Sequence, residues 1–239
     1  MLGLLHELAG SKCLLIAAAA PIEAAAILQG LRGSAAAPEN HAWMLVQAVS
    51  GVDLVLTGIG KANAAGAVAH VLDPDRHAAV LSLGIGGALP GADEAGVRLG
   101  SVVCASASVF ADEGLLSPSG FTDCFGLGFP LGDFQGSDVP VNAAWAAKLA
   151  RACSATGRIA TVSTCSGTDA AARIIADRTG AIVEAMEGAA VGLVCHRLRV
   201  PFAEVRVVSN TTGDRERQRW DIKGAMKRLE ELTAAIHSE

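Results

Sequence analysis

The sequence has no tyrosine, and only three Trp and six Phe among 239 residues. With so few rings the core must be built from Ala, Val, Leu and Ile, which implies helices pressed close against a sheet. Charge is also scarce, at 18% of residues, and 19 basic against 24 acidic side chains leave a net −5. Such a surface is not that of a nucleic-acid or anionic-membrane binder. No membrane span is expected either. The apolar stretch Leu14 to Ala20, bracketed by Lys12 and Glu23, is far short of the ~20 residues needed. His6, Glu7 and Lys12 break up what would be the start of a secretory leader. The six cysteines (13, 104, 124, 153, 165 and 195) include no CxxC pair. A zinc site and a disulfide framework are therefore not expected, and a reducing cytoplasm is the natural compartment. None of the six His falls in an HExxH spacing, and GxSxG is missing. No metal or cofactor is expected.

What is present is small and apolar. The chain holds 46 Ala beside 27 Gly, and 51% of its residues are hydrophobic, which excludes disorder. Continuous apolar runs predict strands near 12–19, 42–49, 52–58, 78–84, 100–109, 158–163, 181–186 and 202–209. Ala-rich periodic stretches predict helices at 22–31, 61–72, 140–155, 168–178, 187–199 and 221–236. Runs such as 53–57 (DLVLT) and 79–83 (AVLSL) suit strands covered on both faces. The alternation predicts one α/β domain over 1–239 around a largely parallel or mixed sheet, without repeats or a dividing linker.

Residues 111–138 interrupt this pattern. They are rich in Gly, Ser, Pro and Asp and hold Phe121, Phe125, Phe129 and Phe134. Such a long segment suggests a functional loop, lining a pocket or packing on a second subunit, or a surface loop pinned by its own Phe residues. Two glycine clusters follow predicted strands, Thr57-Gly-Ile-Gly-Lys-Ala-Asn63 and Ser82-Leu-Gly-Ile-Gly-Gly-Ala88. The first lacks the third glycine of a dinucleotide fingerprint, and Val55 stands where a Walker A loop needs Gly. Both suggest backbone running close to a ligand at strand ends.

Four polar positions sit at element boundaries. Glu23 opens a helix, where the dipole alone would account for a carboxylate. Glu187 lies where an apolar strand turns into a small-residue helix, so its charge needs a partner, either a ligand hydroxyl or a backbone N–H. Asn210 and Asp214 follow the last strand, where a turn would explain the run Thr212-Gly-Asp214.

Five motifs then occur in order: Pro21-Ile-Glu23, Thr57-Gly-Ile-Gly-Lys61, Leu83-Gly-Ile-Gly-Gly87, Glu184-Ala-Met-Glu-Gly-Ala-Ala190, and Pro201-Phe-Ala-Glu-Val-Arg-Val-Val-Ser-Asn210. Over roughly 12–236 the chain resembles the nucleoside phosphorylase and nucleosidase superfamily. The resemblance implies a three-layer α/β/α sandwich with a central mixed sheet, and purine nucleoside chemistry. Glu187 would hold the ribose hydroxyls with Met186 packed on the sugar, and Glu23 would orient or deprotonate water. Asn210 would face N7 of the base. The stretch 162–168, with Gly167 and Thr168, would wall the base, and Gly84, Ile85, Gly86 and Gly87 would run beneath the nucleoside. Members are usually dimers or larger, so a homodimer is implied by analogy.

Elementary chemistry supports these roles. Breaking an N-ribosidic bond places positive charge on the sugar, which favours carboxylates, and negative charge on the base, which favours donors. A 6-oxopurine such as hypoxanthine presents two acceptors, O6 and N7, to which the Asn210 amide can donate. An adenine can also be matched, so Asn210 leans toward hypoxanthine without deciding. An amide is no general acid, and if N7 needs a proton, Asp214 or water would supply it. The stretches 17–24 and 82–88 hold no Arg or Lys, which favours water over phosphate as nucleophile. The alternatives on this scaffold are a methylthioadenosine/S-adenosylhomocysteine nucleosidase, a purine nucleoside phosphorylase and a nucleoside-storage protein.

Overall fold

A computed structural model describes residues 4–33 and 42–238. In chain order the elements are α1 (Leu4–Ala9), β1 (Cys13–Ala18), α2 (Pro21–Arg32), β2 (Leu45–Val49), β3 (Val52–Leu56), α3 (Lys61–Val71), β4 (His77–Ala88), β5 (Val102–Phe110), β6 (Gly114–Ser117), β7 (Gly120–Asp123), β8 (Asp138–Pro140), α4 (Ala143–Leu149), β9 (Ala155–Thr161), α5 (Asp169–Thr179), β10 (Ala181–Ala185), α6 (Gly188–Leu198), β11 (Phe202–Thr211) and α7 (Ile222–Ser238). Of the predicted single domain over 1–239, residues 1–3, 34–41 and 239 lie outside the described residues.

The central sheet is mixed. One wing runs β4-β1-β3-β2, with β1 parallel to both β3 and β4 and β2 antiparallel at the edge. On the other side β4, β11, β5, β9 and β10 close into a ring, because β10 returns antiparallel onto the end of β4 through Val183↔Ala88 and Glu184↔Gly87. The expected three layers are present. Helices α1, α2 and α7 share one apolar cluster with the sheet, and α3 and α6 share the cluster on the opposite face. A third cluster draws on the ring strands β5, β9, β10 and β11.

Small residues set these distances. A Cβ on Gly30 of α2 would overlap Thr233 Oγ1 and the carbonyl of Glu230 on α7, so only Gly allows those helices to lie this close. The scarcity of rings thus goes with backbone-to-backbone packing.

Three expectations are corrected. The second glycine cluster is not a loop after a strand, since β4 continues through Gly84–Gly87 to Ala88, paired with β11 throughout. The helix expected at 140–155 is shorter. Pro140 ends β8, Asn142 caps α4 by accepting from the Trp145 amide at 3.1 Å, and the chain tightens into a 3₁₀ turn at Ala150–Ala152. Within 111–138 the chain forms the hairpin β6–β7, joined Gly114↔Asp123 to Ser117↔Gly120, and then β8 on the edge of β5. Strands of three or four residues carry too little alternation to read.

Candidate active site

The site begins where β1 stops. The last β1–β4 pairs are Ile16↔Leu81 and Ala17↔Ser82, after which β4 has no neighbour on that side until β10 joins it at Gly87. The Ile85 amide, which a longer β1 would have paired, donates instead to Glu23 Oε1 at 2.8 Å. Glu23 lies in the first turn of α2, and its Oε2 accepts from the amides of Ala20 and Ala19 at 2.8 and 3.1 Å. The carboxylate therefore caps the helix and also lines a cavity. Burial pushes its pKa above the ordinary carboxylate range, opposed by the charge of Arg206 and by the Ile85 and Ala20 amides.

Glu187 arrives from the turn between β10 and α6. Its side chain does not cap its own helix; Oε1 accepts from the Gly60 amide at 2.9 Å. Gly60 can aim that N–H only because its φ is 92°, in the region that disfavours a Cβ. The first glycine cluster thus serves a carboxylate through its backbone. Lys61, next in sequence, is paired to Asp112 and to Glu113, at 2.9 Å for the latter, and Asp112 also accepts from the Ser163 amide at 2.7 Å.

Between these carboxylates lies Arg206 of β11, which the sequence reading did not single out. It is 2% exposed. Its Nη2 donates to Ser82 Oγ at 2.9 Å and stands 3.9 Å from Glu187 Oε2. Its Nε is 3.0 Å from Glu204 Oε1, an ion pair without hydrogen-bond alignment. Burial also lifts the Glu204 carboxyl, with Arg206 and the Ser108 hydroxyl opposing. A Cβ on Gly84 would overlap Glu23 Oε1 and come 2.9 Å from Arg206 Nη1, so this glycine is the floor on which the two meet. The inward position of Arg206, two residues beyond Glu204 in an alternating strand, was the available signal.

Together these residues border a cavity of about 420 Å³. Glu23, Ile85, Gly86, Gly87, Gly167, Met186, Glu187 and Asn210 line it, and so do Ser166, Glu184, Arg215, Gln218 and Trp220. Asn210 Oδ1 accepts from Ser209 Oγ at 2.9 Å and Nδ2 donates to the Thr211 carbonyl at 3.0 Å, leaving one amide proton unspent. Gly84 lies behind the lining, against Glu23. Thr168 caps α5 by accepting from the Ala171 amide at 3.1 Å, away from the cavity. Asp214 is also outside the lining. It accepts from the Asp169 amide at 2.9 Å and pairs with Arg217, and those two contacts, in that order, hold its carboxyl below the usual range. Among the described residues, none of 111–138 lines this cavity. Phe121 and Phe125 border a separate one of about 620 Å³, where Arg178 stacks on Phe121 at 3.9 Å.

The phosphorylase superfamily signature matches residues 16–239. The futalosine hydrolase of Acidothermus cellulolyticus is 39% identical over 225 residues, spanning 93% of this chain and 89% of that protein. This chain belongs to the phosphorylase superfamily, within its futalosine hydrolases. The futalosine hydrolase of Streptomyces coelicolor is 35% identical, covering 93% of this chain and 94% of its own length. Among solved structures, a 5′-methylthioadenosine/S-adenosylhomocysteine nucleosidase from Colwellia psychrerythraea, in complex with adenine, shares the fold. Its TM-score is 0.73 at 19% identity, over 96% of both chains.

Proposed function

We propose that this chain is a purine nucleosidase that hydrolyses the N-ribosidic bond of futalosine, releasing hypoxanthine and dehypoxanthine futalosine for menaquinone biosynthesis. The observation that carries the proposal is the convergence of Glu23, Glu187 and Asn210, from three separate segments, on one cavity of nucleoside size. Glu187 keeps its second oxygen for the ribose hydroxyls, beside Met186. Burial makes Glu23 a stronger base than a free carboxylate, which suits it to take a proton from water. As C1′–N9 breaks, its electron pair goes to the purine, where the spare Asn210 proton meets N7 or O6. The water oxygen bonds to C1′, its proton passes to Glu23, and the purine takes a proton from solvent. Asp214, held ionised at a distance by Asp169 and Arg217, is a poor source of that proton.

Water, not phosphate, fits as nucleophile, although the reason differs from the one the sequence suggested. A cation does reach this place, Arg206 from β11, but three carboxylates surround it: Glu23, Glu187 and Glu204. A phosphate dianion would have to compete with three carboxyl groups for that one cation.

Futalosine carries a benzoate-bearing tail at the ribose 5′ position. Of Arg215, Arg217 and Arg219, which follow Asn210 closely, Arg215 suits that carboxylate. It lines the cavity and stacks on Trp220 at 4.6 Å, while Arg217 is engaged by Asp169 and Asp214. Leu116 and Phe129 of 111–138 are exposed, which supports a homodimer formed through that segment, to be checked by light scattering. No helix among the described residues is long and apolar enough to cross a membrane, and we take a cytoplasmic enzyme, one domain over 1–239, as the working picture.

The decisive experiment incubates the protein with futalosine, inosine and methylthioadenosine, with and without phosphate. Free hypoxanthine from futalosine without phosphate is expected. Strict phosphate dependence would make the protein a phosphorylase, preference for methylthioadenosine would make it that nucleosidase, and tight binding without turnover would make it a storage protein.

A further inference from the structure

One buried carboxyl in the cavity has no part in the chemistry above. Glu184 is only 4% exposed and lies on β10, where the ring closes against Gly87 of β4. Its Oε1 accepts from the Ser166 amide at 2.8 Å and its Oε2 from the Ser166 hydroxyl at 2.6 Å. The second distance is in the range of a charge-assisted O–H···O⁻ bond. A carboxylate offers about four lone-pair positions, so two remain for the cavity that Glu184 and Ser166 both line. Such a group is costly to bury without a ligand that uses it.

The purine supplies that ligand, given the nucleosidase function proposed above. A 6-oxopurine carries a hydrogen on N1, whereas a 6-aminopurine presents a bare N1 lone pair. The Asn210 amide can satisfy either ring at N7 and the 6-substituent, so it does not choose between them. An ionised Glu184, the form that the two hydrogen bonds from Ser166 favour against its burial, is acceptor-only and does choose: it gains a hydrogen bond from the first ring and repels the second. Glu23 is committed to three amides and Glu187 to Gly60, while Glu184 answers only to Ser166. We propose that Glu184, braced by Ser166, accepts the N1–H of the base and selects 6-oxopurine over 6-aminopurine nucleosides.

The test compares wild type with Glu184→Gln on futalosine and on its 6-amino counterpart, and measures product inhibition by hypoxanthine and adenine. Loss of a hydrogen bond to a charged group predicts a drop of roughly ten- to hundredfold in kcat/KM for futalosine. Hypoxanthine inhibition should weaken by a similar factor. The 6-amino substrate and adenine should be unchanged or improve, because Gln can turn its NH₂ toward N1. Equal losses for both substrates would overturn the proposal, since a merely structural residue would not move their ratio. If circular dichroism shows that Glu184→Gln does not fold, Ser166→Ala is read in its place. It keeps the carboxylate and removes the hydroxyl brace, and the ratio should fall about threefold or more; an unchanged ratio would overturn the proposal. Wild type that leaves futalosine intact would instead sink the nucleosidase function, so the two failures are distinct.

Discussion

Replacing Arg206 with Met removes the buried cation and keeps an apolar stem of similar reach. Glu204 loses a partner at 3.0 Å, Ser82 loses a donor at 2.9 Å, and Glu23 loses the charge that opposes its burial. Breaking a buried pair from one side costs about 3–5 kcal/mol. That cost depends on pH, and its sign follows from the pKa directions. Burial raises both Glu23 and Glu204 above the 4.5 of a free Glu, and Arg206 opposes the rise in each. A carboxyl raised in the folded state stabilises the fold fully below its unfolded pKa, and that stability is lost as pH climbs through the folded value. Without Arg206 both folded values climb further, each unit adding about 1.4 kcal/mol to the loss at neutral pH. Urea unfolding of wild type and R206M, followed by circular dichroism between about pH 5 and pH 8, measures the gap. The gap should be widest at the alkaline end and narrow on acidification, as the two carboxyls take up protons. A gap constant to within about 0.5 kcal/mol across that range would refute the claim that one guanidinium opposes the rise of both carboxyls.

Glu187→Gln should lower kcat for futalosine at least about a hundredfold, and near-normal turnover would remove Glu187 from the site. Asn210→Asp should weaken use of a 6-oxopurine nucleoside more than that of its 6-amino counterpart, read as the ratio of kcat/KM; equal loss would undercut the donor role. Gly84→Ala pushes Glu23 and Arg206 apart through side-chain ends that can shift, so denaturation should show about 1–3 kcal/mol lost. Its kcat should fall roughly a hundredfold, as for a reacting group displaced by about 1 Å, and unchanged kcat would mean that Glu23 geometry does not matter. Arg215→Met should raise KM for futalosine about three- to tenfold and leave inosine alone, the size expected of an exposed charged contact. A parallel change with both substrates would separate Arg215 from the tail.

Much of this molecule could be read along the chain. The apolar runs at 13–18, 52–56 and 202–211 are strands because both faces are covered, and Ala-rich stretches are helices because small residues let them approach the sheet. Glu23, Glu187 and Asn210 stood out because each sits where an element begins or ends, which is a local property. The hairpin at 114–123 was missed because its strands are only four residues long and are held by cross-strand pairing that no window of residues contains. Likewise Gly84–Gly87 looked like a loop, since glycine weakens strand propensity, whereas pairing to β11 on one side and β10 at the end keeps it a strand. What only the tertiary structure decided is which charges meet. Arg206 and Glu204 share one face of an otherwise apolar strand, but nothing in that run says which charges they meet, and Glu184 reads as one more residue of a buried strand. Closure of the ring and the early end of β1 set Glu23, Glu187, Glu204 and Arg206 around one floor. Electrostatic energy depends on distance through space, and sequence separation carries no information about that distance.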